Sequence, residues 1–506
     1  MNLHRIAAEH RHLGIVEGVD GRRMLKVRRD GVTPKFNLRT ILDWRCRDMP
    51  AAPLETGHAM RIEDVDPVHS RPFGAVPGSL GIRGFGCALV MATAWLGVSL
   101  WLALPWMAEL EEKIGSILTW LIVGGIALAP GFMNAFQTAS LLQRPNTRYR
   151  EPTAYPALTV LIAAYNEADQ IANALRSLLG QKYSAPLDII VIDDGSHDGT
   201  AAIVRETFPE VRVIALACNA GKAAALNRGL AVAHRSLVVT VDGDSWLHAD
   251  ALRYLVLEYV NGPPNTAAVA GAVFVGNGDR SWSSRIQYWD YLHGIAATKR
   301  TQAAYGGTLV AQGALSLYRT DLLREIGGWP RSLGEDIVLT WALLSRGYDV
   351  GYAERALCFT NVPETFGGLL RQRARWARGM IEAFRHHPDI LRQRRITTFL
   401  VGWNLLFPWQ DLVFTFAFIP GLILALFGQY WLVGPLTLAL IPSAGFIGIV
   451  MYRMSAKVFH QAGCKIAWDP LALVFYTLAY GLINHPASLR GYLAELFGQA
   501  KTWGTK

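Results

Sequence analysis

Two apolar runs, 85–106 and 114–136, precede a long mixed segment, and two more, 399–427 and 430–451, follow it. Each approaches the roughly 20 residues that a helix needs to cross the hydrocarbon of a bilayer. Hydrophobic residues make up 51% of the 506, and these runs hold a large share of them. A lipid bilayer is therefore an expected partner, and the segment between the pairs is expected to fold outside it.

Charge sets the expected orientation, because Lys and Arg flank the cytoplasmic ends of spans. The link between the first two runs carries Glu109, Glu111 and Glu112 against a single Lys113, whereas Arg144, Arg148 and Arg150 follow the second. That pattern gives a hairpin with both ends in the cytoplasm. The uncharged turn at Gly428 and Gln429 is expected outside, with Arg453, Lys457 and Lys465 inside. Residues 470–483 are shorter and lead into Asn484, His485 and Pro486. They fit a fifth span, a re-entrant hairpin or an interfacial helix, and Lys501 and Lys506 favour a cytoplasmic end. The net charge of +9 then reads as span-flanking cation rather than a nucleic-acid surface, and no nucleic acid is expected as a partner.

Residues 1–80 stand apart. Their start is polar and lacks the pattern of a cleavable signal peptide. Arg22, Arg23, Lys26, Arg28 and Arg29 form a basic cluster, and 48–57 reads as a linker. The cluster suits anionic headgroups or the solvated face of a small β-rich module. The five cysteines include no CxxC pair, so no zinc site is implied.

From about 155 to 395 the chain alternates strands with helices. ALTVLIAAYNE, DIIVIDDGS, VRVIAL and SLVVTVDGD read as strands, DIIVIDDGS as a buried one. EADQIANALRSLLGQ has helical spacing at Ile171, Ala174, Leu175 and Leu178. This order predicts an α/β domain with a parallel sheet and crossover helices. In such sheets ligands gather beyond the carboxyl ends of the strands. Asn166–Glu167, Asp193–Asp194–Gly195–Ser196 and Asp242–Gly243–Asp244 stand at those ends. One Asp-Gly turn would be ordinary turn chemistry, but three acid-tipped strands on one edge are more than solvation requires. Asp242 and Asp244 could hold a hard cation such as Mg2+ or Mn2+.

Further along, Gly221 permits close backbone approach and Lys222 offers a point charge to phosphate, although the spacing is not that of a Walker loop. Glu335 and Asp336 open an amphipathic helix. Acids there can simply cap the helix dipole, or one can deprotonate an acceptor hydroxyl, and Asp336 is the candidate base. Arg371, Arg375 and Arg378 share one helix face, with Gln372 and Trp376 adding an amide and an aromatic plane.

In order, Asp193–Asp194–Gly195, Asp242–Gly243–Asp244, Glu335–Asp336 and Gln372-Arg373-Ala374-Arg375-Trp376 resemble the motif series of processive family 2 glycosyltransferases. That family includes the cellulose, chitin-oligosaccharide, hyaluronan and poly-N-acetylglucosamine synthases. KRTQAAYG, ERALC and VPETFGGLLRQRARWARG are most similar to the poly-N-acetylglucosamine branch. The resemblance implies a nucleotide-diphospho-sugar transferase (GT-A-like) domain over 150–396. It would be inserted between a membrane hairpin at 84–137 and membrane or interfacial helices at 397–506, in a multi-pass protein of a bacterial inner membrane with its catalytic domain in the cytoplasm. It implies that Asn166, Glu167, Asp193, Asp194, Lys222 and Asp242 bind a UDP-sugar. Asp242 and Asp244 would hold Mg2+ or Mn2+. Asp336, beside Glu335, would act as base, and Gln372, Arg373, Arg375 and Trp376 would bind the diphosphate and the acceptor end of a growing polysaccharide. It admits a small membrane accessory subunit. Direct displacement would give a β-linked product. UDP-N-acetylglucosamine is the first choice of donor and UDP-glucose the second, with single transfer to a lipid-phosphate carrier as the alternative reaction. Two departures stand out. Gly334 replaces a Thr before the Glu-Asp pair, and the loop Ala311-Gln312-Gly313-Ala314 lacks a Ser or Cys before its glycine.

Overall fold

The computed structural model describes residues 13–17, 23–27, 80–143, 149–393 and 395–500. Strands β1 (Leu13–Glu17) and β2 (Arg23–Val27) form an antiparallel pair, and Arg23 and Lys26 of the basic cluster lie on β2. Arg22, Arg28 and Arg29, the linker at 48–57, Arg144, Arg148, Lys501 and Lys506 lie outside the described residues.

Among the described residues, three helices are long and apolar enough to cross a membrane: α1 (Gly81–Ile114), α2 (Ser116–Gln143) and α12 (Ile396–Leu426). They coincide with the first three expected runs. Trp101, Ile117, Phe416 and Leu426 are exposed on them, as suits faces that meet lipid rather than water. The run at 430–451 falls in helix α13 (Pro435–Gln461), and the undecided run at 470–483 opens α14 (Pro470–Leu496).

Between these helices lies an eight-stranded sheet in the order β5-β4-β3-β6-β9-β8-β10-β7. Strands β3 (Leu158–Ala164), β4 (Leu187–Asp193), β5 (Arg212–Ala215) and β6 (Leu237–Asp242) are mutually parallel. Crossover helices α3 (Ile171–Leu179), α4 (Thr200–Thr207) and α5 (Lys222–Val232) connect them. Ile171, Ala174, Leu175 and Leu178 are the buried face of α3, so the helical spacing of the sequence becomes the packing surface.

The other half corrects the expectation of a parallel sheet. After β7 (Ser245–Leu247), α6 (Ala251–Asn261), β8 (Thr266–Val275), α7 (Trp282–Asp290) and α8 (Thr298–Ala303), strand β9 (Leu315–Arg319) runs antiparallel to both β6 and β8. Leu315 pairs with Val241 and Arg319 with Leu237. The chain therefore enters β9 at the carboxyl edge and runs backward. All ten residues of β8 are buried, and a strand buried on both faces carries no alternation from which direction could be read. Helices α9 (Thr320–Ile326) and α10 (Glu335–Ser345), strand β10 (Asp349–Thr360) and α11 (Phe366–His386) complete the domain.

Two seams bind the domain to the apolar helices. Phe85 of α1, Phe136 of α2 and Phe399 of α12 form one aromatic cluster with Tyr305, which follows α8. The Tyr305 hydroxyl donates to Ser140 at 2.7 Å. On the second seam, the last turns of α14 lie against α11. Glu495, 3% exposed, accepts from Arg378 at 3.2 Å and from Arg385 at 2.8 Å. Gly491 faces the Ala374 carbonyl so closely that a Cβ would collide with that oxygen. Asp411 of α12 also reaches α14, accepting from Tyr492 at 2.8 Å and pairing with His485 at 2.5 Å.

Gly491→Ala should therefore wedge α14 away from α11. Forced overpacking of this kind costs about 1–3 kcal/mol. Thermal unfolding of detergent-solubilised protein should register the loss, while a substitution at exposed Arg490 should leave the transition in place.

Candidate active site

The acid-tipped turns meet along the carboxyl edge, and local hydrogen bonds set each one. Asn166 has φ +55°, the left-handed region that Asn tolerates better than most residues. Its backbone N–H donates to Ser196 Oγ at 2.9 Å, and its carboxamide oxygen accepts from His197 N–H at 3.0 Å. Glu167 N–H donates to Thr200 Oγ1 at 2.9 Å. The turn after β3 is thus stitched to the turn after β4.

Asp193 and Asp194 are buried at 4% and 3% exposure. The Asp194 carboxylate accepts from Ala220 and Gly221 N–H, both at 2.8 Å, which holds Gly221 at φ +92° just before α5. Burial pushes the Asp194 carboxyl up, against the pull of those two donors. Asp194 therefore shapes the loop that delivers Lys222. Asp193 Oδ1 is buried without a hydrogen-bond partner, the kind of orphan acceptor that calls for a ligand donor or water.

Lys222 begins α5 and joins two elements. Its ammonium pairs with Asp242 at the end of β6 and lies 3.7 Å from Glu335 Oε1 at the start of α10. Burial pulls its pKa down, but Asp242 and Glu335 outweigh that and hold it above the ordinary value. Burial pushes the Glu335 carboxyl up, opposed by Lys222. A Cβ on Gly313 would collide with the Lys222 ammonium. The antiparallel entry into β9 thus brings the departing loop Ala311–Ala314 onto this cluster.

Asp244 accepts from Ser245 at 3.3 Å and Thr360 at 3.4 Å. Burial first, and then Asp242 and Asp244 together, push the buried Cys358 thiol up. Among the described residues, no group of three or more His, Cys, Asp or Glu forms a metal cage. Two carboxylates with neighbouring hydroxyls still fit Mg2+ or Mn2+, because such ions are commonly held by one or two carboxylates plus substrate phosphates.

Glu335 and Asp336 diverge. Glu335 is buried against Lys222, whereas Asp336 is half-buried, with its carboxylate accepting from the neighbouring Ile337 N–H at 2.7 Å. The Thr340 hydroxyl donates to the Asp336 carbonyl at 2.6 Å, fixing the first turn of α10. Gly334 has a steric cause. A Cβ there would stand 2.7 Å from the Gly379 Cα of α11, so the two helices meet backbone to backbone. Glu382 of α11 accepts from Leu333 N–H at 2.8 Å across the same junction.

Helix α11 splits the pentad. Arg375 acts electrostatically on both Glu335 and Tyr291. Gln372 is buried, with Oε1 lacking a hydrogen-bond partner. Arg373 is 3% exposed, donates to Asp290 at 2.7 Å and lies 4.0 Å from the Trp376 ring centroid. It therefore backs the Trp376 ring, which is 39% exposed. Asp290, Tyr291 and Lys299 belong to this neighbourhood and were not singled out by residue type. They lie on α7, the π-helical turn Tyr291–Ala297 and α8, whose approach to the site depends on long-range packing.

Residues 156–379 match the family described as glycosyltransferase like family 2. The chain carries a family 2 glycosyltransferase domain. Over 225 residues it is 35% identical to a poly-β-1,6-N-acetyl-D-glucosamine synthase of Staphylococcus epidermidis, covering 44% of this chain and 54% of that one. Over 243 residues it is 35% identical to the synthase of the same name from Staphylococcus aureus strain MSSA476, covering 47% and 58%. The chain thus spans about half the length of the curated relatives it matches. Its fold is similar to that of a mannosyltransferase from Pyrobaculum calidifontis solved with GDP-Man and Mn2+. The TM-score is 0.52 at 19% identity, over 78% of this chain and 100% of that one. This is the GT-A-like fold, with the mixed sheet described above.

Removing the shared cation should strand buried charge in this domain. Lys222→Met is expected to destabilise it by about 3 kcal/mol, the scale for breaking a buried ion pair from one side. Adding Glu335→Gln should recover part of that loss, because the amide carries no charge to strand. Thermal unfolding of the two variants against the parent checks the order.

Proposed function

We propose that the chain is a membrane-embedded inverting hexosyltransferase that extends a β-linked polysaccharide from a UDP-sugar. UDP-N-acetylglucosamine is the preferred donor. The observation that carries this reading is the junction at Gly334 and Gly379. It packs α10, which opens with Glu335 and Asp336, against α11, which carries Arg375 and Trp376, and Glu335 lies within reach of the Lys222 that pairs with Asp242. Names of the relatives support the donor and the polymer. The three apolar helices support the membrane embedding, and the Arg and Lys that flank the apolar runs support a multi-pass inner-membrane protein with a cytoplasmic catalytic domain.

In this reading the acceptor's terminal sugar rests on the exposed face of Trp376, and its hydroxyl attacks the anomeric carbon of the donor. The new C–O bond forms as the bond to the diphosphate breaks, which inverts the configuration. Asp336 takes the hydroxyl proton, a role worth roughly 10²–10⁴-fold in rate. Lys222 and Arg375 meet the charge that develops on the leaving diphosphate. A Mg2+ or Mn2+ held by Asp242 and Asp244 would supply further charge neutralisation there. The buried Asp193 Oδ1 and Gln372 Oε1 are acceptors waiting for ligand donors. Glu335 keeps Lys222 in place rather than taking the proton.

Asp336→Asn should cut incorporation from UDP-N-acetylglucosamine by at least ~10²-fold and leave UDP affinity unchanged in titration calorimetry; residual polymerisation near the parental rate would sink the base assignment. Trp376→Ala should shorten the product more than it slows the first transfer, since stacking is worth roughly 1–3 kcal/mol per ring. Product sizing against UDP-N-acetylglucosamine and UDP-glucose in parallel tests both the platform and the donor.

A further inference from the structure

Helix α14 is tied to the domain at both ends. At its start Asp469 caps the helix by accepting from Ala472 N–H at 3.0 Å, and its carboxylate pairs with Arg285 of α7 at 2.7 Å. The Trp289 indole N–H of α7 donates to the Asp469 carbonyl at 3.1 Å. Near the other end Glu495 accepts from Arg378 and Arg385 of α11. Between these points one face of α14 keeps to the same domain. The Tyr476 hydroxyl lies 3.4 Å from His293 Nδ1 on the π-helical turn, Arg373 lies 5.9 Å from the Tyr480 ring centroid, and Gly491 abuts the Ala374 carbonyl. A helix of 27 residues is about 40 Å long, enough to cross hydrocarbon about 30 Å thick. Crossing would carry one end away from the domain, yet both ends stay on its helices.

Away from these contacts α14 shows a bare apolar stripe. Leu471, Val474, Phe475 and Leu478 are exposed at the i, i+3, i+4, i+7 spacing of one helix face. Leu496, about five turns past Leu478, returns to the same line with Leu493 beside it, and both are exposed. Single exposed leucines are ordinary, but a stripe along a whole helix marks an interaction surface. Two observations say what covers it. Asp411 and Phe414 of α12 fasten α14 through His485 and Tyr492, so the stripe borders a helix long and apolar enough to cross a membrane. A groove of about 430 Å3 at that border is lined by Thr415 of α12 and by Leu489, Leu493 and Phe497 of α14, with Arg490 at its rim. The flanks have the composition that the lipid–water boundary favours, aromatic rings and cations. Trp282, Trp468 and Lys465 are exposed about the start of α14, with Arg285 4.4 Å from the Trp282 ring centroid, and Arg490 is exposed toward its end.

We propose that α14 does not cross the bilayer but lies in the plane of its cytoplasmic surface, with its polar face on the domain and its apolar stripe docked into lipid. The run at 470–483 is then neither a fifth span nor a re-entrant hairpin. The inference rests on the functional reading above, which embeds the chain in a membrane with the domain on the cytoplasmic side. It gives the lipid surface a part in the acceptor site. Ala374 stands two residues before Trp376 on α11, so the helix that carries the stacking ring is backed by a helix that itself rests on lipid.

The test uses the full chain in liposomes. Nitroxide labels on single introduced cysteines, in a chain whose native cysteines are replaced by Ala, report depth through relaxation by oxygen against a water-soluble nickel chelate. Leu471→Cys and Leu496→Cys bracket the stripe, and Val90→Cys and Leu104→Cys mark α1. The expected result is that both α14 labels are oxygen-dominated and shallow, at matching depths of roughly 5–10 Å. A difference on the order of 30 Å between them, which a spanning helix requires, overturns the inference. So does nickel-dominated relaxation at both, which means water, or poor access of both reagents, which means a protein partner. If the cysteine-replaced chain does not fold, Lys465→Cys and Gln499→Cys in the otherwise native chain decide. Labelling of both by an impermeant maleimide from one side of membrane vesicles, above the parent's signal, supports the in-plane helix, and labelling from opposite sides overturns it. Equal depths for the two α1 labels would instead overturn the membrane-embedded reading.

Discussion

Lys222 is the hinge of the site. Its ammonium ties Asp242, at the tip of a central strand, to Glu335, at the tip of a helix that follows the sheet in sequence. Without that cation the carboxylates of β6 and α10 would lose the counter-ion they share. Asp194 prepares the arrangement by holding the Ala220–Gly221 backbone that launches α5. Gly313 completes it, since only a residue without Cβ leaves room for the ammonium.

This hinge leaves Asp336 outside the ion pair. Adjacent acids in one helical turn receive different environments: Glu335 is buried against a cation, and Asp336 is half-buried and accepts from the Ile337 N–H. Divergent surroundings for neighbouring carboxylates are how a fold assigns them different jobs. The same division appears in the pentad, where Arg373 is buried on Asp290 behind the Trp376 ring while Arg375 acts on the acidic cluster.

The apolar helices hold the frame from below. Helix α14 is held both by Asp411 of α12 and by Arg378 and Arg385 of α11, with Gly491 closely approaching Ala374. The carbonyl it meets lies within the pentad. The surface on which an acceptor would rest is therefore positioned by a helix shared between the domain and the long apolar helices.

Much of this was written locally. The apolar runs announced α1, α2 and α12 because crossing hydrocarbon needs length and little else. The strand–helix alternation announced β3 to β6, and the strand-end rule picked out Asp193, Asp194, Asp242 and Asp244. What local pattern could not supply was direction and burial in the second half. The antiparallel course of β9, the turn of Arg373 toward Asp290, and the burial of Lys299 beneath the 308–311 loop all depend on elements far away in the chain. The choice between Glu335 and Asp336 is of the same kind, since both occupy the first turn of one helix. Sequence alone determined the chemistry at each strand tip, because residue type and strand position are local facts. Only the tertiary structure decided which of those groups is paired and which is left for a substrate, because pairing is a contact between segments that the chain brings together only on folding.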